Sequence, residues 1–239
     1  MSRSFDVDFS DSVVVVTGAC GALGSAVVDR FVQAGATVCG TDIVNPDDEE
    51  ALLDAGHESV HFYEGDFTDE TDVERVMAAI TDDHGRIDTL CAIAGTWRGG
   101  DPIEETDVET FELLFDVNLK TMFLATKHAL PALKRCEGTV IAVSSRSSLE
   151  GGEGDGPYRA AKAGVRRLTE TVAAENTGSV RANAIMPSVI DTPANREAMP
   201  DADHESWVDP DDIADVVVFL CSSGASVTSG AAVPVYGTA

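Results

Sequence analysis

Val13-Val14-Val15-Val16-Thr17-Gly18-Ala19-Cys20-Gly21-Ala22-Leu23-Gly24, continued by Val27, Val28, Phe31 and Val32, is the stretch that decides the fold. Four successive β-branched residues read as a strand buried on both faces, since a strand covered on one face alternates apolar with polar residues. The glycines then permit a tight turn, and the apolar residues beyond it recur at helical spacing. A strand, a glycine turn and a helix in that order bring free N–H groups and the positive end of a helix dipole to one point. That arrangement receives a pyrophosphate.

Outward from this unit the same alternation continues along the chain. Apolar strand candidates lie at Thr37–Gly40, Val60–Tyr63, Thr89–Ala92, Val140–Val143, Arg181–Ile185 and Val233–Tyr236, with helical patterns at Thr71–Ile80, Phe111–Leu133, Pro157–Ala174 and Asp211–Leu220. Strands that alternate with helices predict an α/β fold, a doubly wound parallel sheet of seven strands with helices on both faces. At 239 residues and 44% hydrophobic content the chain is expected to form one domain over residues 1–239. Gly151-Gly152-Glu153-Gly154-Asp155-Gly156 reads as a flexible loop.

The second strand ends at Thr41-Asp42, eighteen residues beyond Gly24. A carboxylate there accepts hydrogen bonds from the ribose hydroxyls of a bound dinucleotide, whereas a 2′-phosphate would meet its charge unfavourably. No arginine or lysine stands between Gly18 and Gly24 to receive such a phosphate. NAD(H) is therefore the expected cofactor, in preference to NADP(H).

Ser144-Ser145 closes the Thr139–Val143 strand, Tyr158 follows Ser145 by thirteen positions, and Lys162 follows Tyr158 by one helical turn. A tyrosine with an ordinary pKa near 10 has to lose about 2–3 pH units to exchange protons near neutrality, about 3–4 kcal/mol of differential stabilisation. A lysine at i+4 on the same helix face is expected to supply part of it, and the oxidised nicotinamide cation the rest.

Together these residues resemble the short-chain dehydrogenase/reductase family over nearly the whole chain. The glycine turn is similar to the family's TGxxxGxG pattern, with Ala22 in place of the middle glycine and an extra glycine at 21. Ala92-Ile93-Ala94-Gly95 corresponds to the family's NNAG segment without its asparagines. Asn118, in Phe115-Asp116-Val117-Asn118-Leu119, falls on the family's active-site asparagine, and Asn183–Thr192 on its Pro-Gly and threonine segment with Ser188 replacing glycine. The resemblance implies a Rossmann-type fold and a catalytic set of Asn118, Ser145, Tyr158 and Lys162. Tyr158 would be the general acid/base, Ser145 would hydrogen-bond the substrate oxygen, and Asn118 would hold a water that relays protons to Lys162. It further implies cofactor contacts from Gly18, Cys20, Gly21, Ala22, Leu23, Asp42, Ile43, Asp66, Phe67, Ala94, Gly95, Tyr158, Lys162, Pro187, Ile190 and Thr192.

Within the family, several stretches are similar to dihydropteridine reductase. They include Leu90–Trp97 with Gly99-Gly100, Leu124–His128, and Asp191–Arg196 with Met199–Asp203 and Ser206-Trp207. Dihydropteridine reductases lack the serine and asparagine that stand here as Ser145 and Asn118. The expected function is thus interconversion of a secondary alcohol and a carbonyl on a small molecule. An NADH-dependent pteridine reductase is the alternative, and a non-catalytic NAD-binding sensor or scaffold a third reading. Trp97, Arg146, Ser188 and Trp207, on loops at the strand ends, are candidate substrate contacts, with Arg98 and Met199 nearby. Arg146 is expected either to meet a substrate anion or to form a structural salt bridge.

Forty-two acidic residues against sixteen basic give a formal net charge of −26. Such a chain repels nucleic acid and anionic membranes, which excludes both as partners. Self-repulsion of this size fades where salt shortens the screening length to about 3 Å near 1 M, so a halophilic protein is expected. Met1–Asp6 has no apolar stretch or cleavage pattern of a signal peptide, which points to a cytoplasmic location. The five cysteines lack any CxxC spacing and read as buried small hydrophobes, with Cys20 in the glycine turn set apart. The five histidines show no ligand spacing, and no metal is expected. By family analogy the assembly is a homotetramer formed through the helices at Phe111–Leu133 and Pro157–Ala174.

Overall fold

In the computed structural model, which describes residues 7–238, the valine run is strand β1 (Val13–Thr17), and its side chains divide between two cores. Val14 and Val16 join one hydrophobic cluster, Val13 and Val15 the other. Successive strand side chains point to opposite faces, so a continuous apolar run is what a doubly covered strand requires. The residues Met1–Asp6, on which the leader reading rested, lie outside the described residues.

Six further strands complete one parallel sheet: β2 (Thr37–Asp42), β3 (Val60–Glu64), β4 (Thr89–Ala92), β5 (Thr139–Val143), β6 (Arg181–Pro187) and β7 (Ala232–Val235). Their order is β3-β2-β1-β4-β5-β6-β7. Helices α1 (Ala22–Gln33) and α7 (Pro210–Cys221) cover the first face through Val27, Val28, Phe31, Ile213 and Val217. Helices α2 (Glu70–His84), α4 (Thr121–Cys136) and α5 (Gly156–Glu175) cover the second through Val76, Ile80, Leu124, Leu133 and Val172. The chain winds outward in opposite directions from β1 and β4, which leaves a crevice at their C-terminal ends, the place where such sheets bind ligands.

The stretch Phe111–Leu133, expected as one helix, is interrupted. Helix α3 (Val108–Phe115) runs into a π-helical turn, Asp116–Lys120, before α4. A π-turn widens the helix by one residue and recurs at functional sites; here it carries Asn118. A short helix α6 (Pro193–Ala198), which periodicity did not reveal, is started by Thr192, whose hydroxyl accepts from the Asn195 amide. The glycine-rich loop before Tyr158 is tied down. Gly100 N–H donates to Gly154 O at 2.7 Å, and the Arg159 guanidinium grips Asp155 and the carbonyls of Ser147 and Glu150. No helix among the described residues is long and apolar enough to cross a membrane.

Candidate active site

The glycine turn after β1 is shaped by close backbone approaches. Gly18 has φ of +68°, and a Cβ on it would stand 2.8 Å from Ala94 Cα. A Cβ on Gly24 would come within 2.7 Å of the Gly18 carbonyl carbon, so α1 can begin this close to β1 only with glycine there. Gly21 is the N-cap residue of α1 and offers no side chain to cap it, so no side chain occupies the first-turn amides. Thr17 Oγ1 accepts from the amides of Ile93 and Ala94, both at 3.1 Å, which ties the turn to the segment after β4.

The crevice above this turn has a volume of about 720 Å³ and is lined by Gly18, Cys20, Gly21, Ala22, Leu23, Asp42, Ile43, Asp66, Phe67, Ala94, Gly95 and Thr192, all expected contacts. Pro187 and Ile190 do not line it, nor do Tyr158 and Lys162, which stand beyond its Gly95 end. Lining residues not read from sequence include Glu49, Glu50, Val117 and Thr121; no spacing rule distinguishes Glu49 and Glu50 in so acidic a chain. The donor set fits a dinucleotide. A glycine cradle that any Cβ would fill, an uncapped helix start and a terminal carboxylate on β2 meet along one crevice.

Asp42 also has a structural task. Its Oδ2 accepts from the Cys20 amide at 2.9 Å and its Oδ1 from the Val44 amide at 3.1 Å, so it fixes the glycine turn as well as facing the crevice. The Cys20 thiol lies against Val44 O, and burial, reinforced by Asp42 and Asp48, pushes its pKa up to about 11. It is an un-ionised packing group. Cys39, Cys91 and Cys221 are buried and Cys136 is half-buried.

Beyond Gly95 the four expected catalytic side chains come together. A Cβ on Gly95 would lie 2.9 Å from Asn118 Oδ1 and 3.0 Å from Lys162 Nζ. Asn118 is buried, donates through Nδ2 to Thr96 O and Leu114 O, and accepts at Oδ1 from Thr96 N–H. Lys162, 4% exposed, donates to Val143 O at 2.9 Å and has its Nζ 5.9 Å from the centre of the Tyr158 ring. The Ser145 hydroxyl accepts from Ser147 N–H at 3.1 Å and lies near enough to the Tyr158 phenol to lower its pKa.

The expected acidification of Tyr158 by Lys162 is not found in the chain itself. Burial raises the phenol pKa, Asp155 raises it further, and the Ser145 hydrogen bond opposes them. Burial lowers the pKa of Lys162 itself to about 8.

None of the candidate substrate contacts lines the crevice. Trp97 is half exposed. Arg146 is exposed and makes no salt bridge among the described residues; its Cζ lies 5.0 Å from the centre of the Tyr236 ring. The structural salt bridge weighed for it is therefore not formed. Ser188 donates its hydroxyl to Tyr236 O at 3.1 Å, and half-buried Trp207 packs on His204 with ring centres 4.4 Å apart. Tyr236, which joins Arg146 to Ser188, had no signature in the sequence.

A family model described as enoyl-(acyl carrier protein) reductase matches residues 18–237. The chain is 33% identical over 241 residues to cis-4-hydroxycyclohexanecarboxylate dehydrogenase of Sinomonas cyclohexanicum, covering 96% of each. It is 32% identical over 243 residues to meso-2,3-butanediol dehydrogenase of Serratia marcescens, covering 97% of this chain and 95% of the relative. A solved short-chain dehydrogenase/reductase structure from Brucella melitensis, titled a glucose/ribitol dehydrogenase, superposes with a TM-score of 0.89 at 28% identity over 98% of both chains. Dehydrogenases of this kind use the nicotinamide coenzymes NAD or NADP. With the glycine cradle on the crevice and the Ser145, Tyr158 and Lys162 cluster beyond its Gly95 end, these likenesses establish that the chain belongs to the short-chain dehydrogenase/reductase family.

Proposed function

We propose that the protein is an NAD(H)-dependent oxidoreductase that interconverts a secondary alcohol and a carbonyl on a small molecule. The observation that carries this reading is the convergence of Ser145, Tyr158, Lys162 and Asn118 at the Gly95 end of the crevice. Relatives named for hydroxycyclohexanecarboxylate and butanediol, both alcohols, support it.

The coenzyme, when bound, supplies the hydride acceptor or donor and, when oxidised, a positive charge near the phenol. Gly18, Gly21, Ala22 and Leu23 would hold its diphosphate through backbone amides, and Asp42 its adenosine ribose. Tyr158 Oη takes the proton from the substrate hydroxyl or returns it to the carbonyl oxygen. Ser145 Oγ holds that oxygen in place. Lys162 keeps a proton next to the phenol, and its pKa of about 8 lets it exchange that proton near neutrality. Asn118 pins the Thr96 backbone, and the remaining lone pair of its Oδ1, beside Lys162 Nζ, can hold a relay water. Preference for NAD over NADP is supported by the lining. Asp42, Glu49, Glu50 and Asp66 face the crevice with no lysine or arginine among the lining residues, and nearby Arg75 is tied to Asp72 and Glu64 O.

The same reading extends to a halophilic, cytoplasmic homotetramer. Half-exposed Phe111 and Phe123 on α3 and α4 leave apolar surface for a partner copy, and the −26 charge favours strong salt. Sedimentation in multimolar salt tests the assembly. Activity is tested by following NADH absorbance with a panel of alcohols, ketones and, given the 191–207 segment, a quinonoid dihydropterin. Tyr158→Phe is expected to lower turnover by about 10²–10⁴-fold; a variant retaining more than about a tenth of wild-type turnover refutes the role given to the phenol. Binding of NADH with no turnover of any of these compounds favours the non-catalytic reading.

A further inference from the structure

Basic side chains in this acid-rich protein are mostly neutralised locally. Arg30, Arg75, Arg86, Arg159 and Arg196 each sit against an aspartate. Arg146, directly after Ser145, makes no such pair among the described residues and is exposed. Asp155 and Asp191 on neighbouring loops are engaged elsewhere, with Arg159 and Arg196.

The side chain is nevertheless placed. Ser145 is extended and caps the short helical turn Arg146–Leu149, so the backbone at Arg146 is set by the strand that delivers the serine. The guanidinium stands over the Tyr236 ring, and Tyr236 is held in turn by the Ser188 hydroxyl on its carbonyl. The Tyr236 hydroxyl is buried and has no hydrogen-bond partner. A guanidinium held over an aromatic face keeps N–H donors free, and these can take an oxyanion through two parallel hydrogen bonds. In a protein of net charge −26, holding an anion beside Ser145 demands a local cation left free of acids.

We propose that Arg146 anchors an anionic group of the substrate, so that the natural substrates are hydroxy acids and the corresponding oxo acids. One guanidinium matches the single charge of a carboxylate, whereas a phosphate monoester would bring a second, unmatched charge into a negative protein. The anchored group takes no part in bond changes; it sets which carbinol reaches Ser145 and Tyr158. The inference rests on the proposed function only for the place of the reacting oxygen.

The test separates the two. Wild type, Arg146→Met and Arg146→Lys are titrated calorimetrically with cyclohexanecarboxylate, cyclohexanecarboxamide and cyclohexyl phosphate at constant ionic strength, with and without NADH. In parallel, kcat/KM is measured for a 4-hydroxycyclohexanecarboxylate and its methyl ester, and melting temperatures confirm that each variant is folded. Wild type is expected to bind the carboxylate at least about tenfold more tightly than the amide or the phosphate, Arg146→Met to lose that preference, and Arg146→Lys to keep part of it. No preference in wild type, preference for the phosphate, or an unchanged preference in Arg146→Met overturns the inference. Arg146-dependent carboxylate binding without turnover of either alcohol leaves the anchor standing and removes the oxidoreductase reading. Equal kcat/KM for acid and ester in wild type does the reverse.

Discussion

Replacing Lys162 by methionine tests whether the ammonium at the centre of the site is desolvated. The side chain is buried, its Nζ donates to Val143 O, and burial lowers its pKa from 10.5 to about 8. An unfolded chain that titrates near 10.5 and a folded one near 8 differ by about 3 kcal/mol, a cost carried in full below pH 8. Between these values the unfolded chain keeps the proton that the folded chain sheds, so stability rises with pH. From about pH 7.5 to 9 this rise amounts to about 1 kcal/mol, or about 2–4 °C in Tm for a domain of this size. Above pH 9 the buried thiols act in the opposite sense. Cys20 and Cys39 are raised to about 11 and 12, so the unfolded chain loses those protons first and stability falls. Urea melts of wild type and Lys162→Met at constant salt, stepped through this window, isolate the lysine, because the other titrations cancel in the difference. The variant's stability relative to wild type is expected to fall by about 1 kcal/mol from pH 7.5 to 9. Parallel curves would show that the ammonium remains solvated, and with it would go the account of how Lys162 exchanges a proton near neutrality.

Three other outcomes are expected. Gly24→Ala puts a methyl group against the Gly18 carbonyl and should displace the turn, abolishing NADH binding in a fluorescence titration; tight binding by this variant would contradict the cradle. Asp42→Asn removes one of the four crevice carboxylates and should move the NADPH/NADH ratio of kcat/KM toward NADPH by on the order of tenfold. An unchanged ratio would confine Asp42 to its bonds with the Cys20 and Val44 amides. Raising salt from low to multimolar should increase Tm and activity together as repulsion among the 42 acids is screened, and full stability at low salt would reject the halophilic reading.

What could be read from the sequence was set by short-range periodicity. The valines of β1 feed two cores through the alternation of a strand, and Val27, Val28 and Phe31 reach one of them at helical spacing, so both elements and their order were legible. Lys162 could be placed one turn after Tyr158 for the same reason. The direction of their proton affinities could not, because burial is decided by the strands and helices that close over them. The π-turn at Asp116–Lys120 was hidden as well, since one inserted residue barely alters the apolar spacing on either side. The contact between Arg146 and Tyr236 joins residues ninety positions apart at the ends of β5 and β7, and no local pattern encodes it.

The distribution of charge then acquires a physical logic. Acidic groups coat the chain, and Asp42, Glu49, Glu50 and Asp66 line the crevice, where they would face the hydroxyls of the proposed coenzyme. Lys162 and Arg146 instead make no ion pair with a carboxylate among the described residues, Lys162 buried beside Gly95 and Arg146 set over the Tyr236 ring. Had either formed an ordinary ion pair, its charge would be neutralised before substrate arrived. An unpaired cation is costly inside a protein, so leaving buried Lys162 unpaired works against stability. That cost falls beside Tyr158, which supports the proposal that the negative charge handled there is a phenolate.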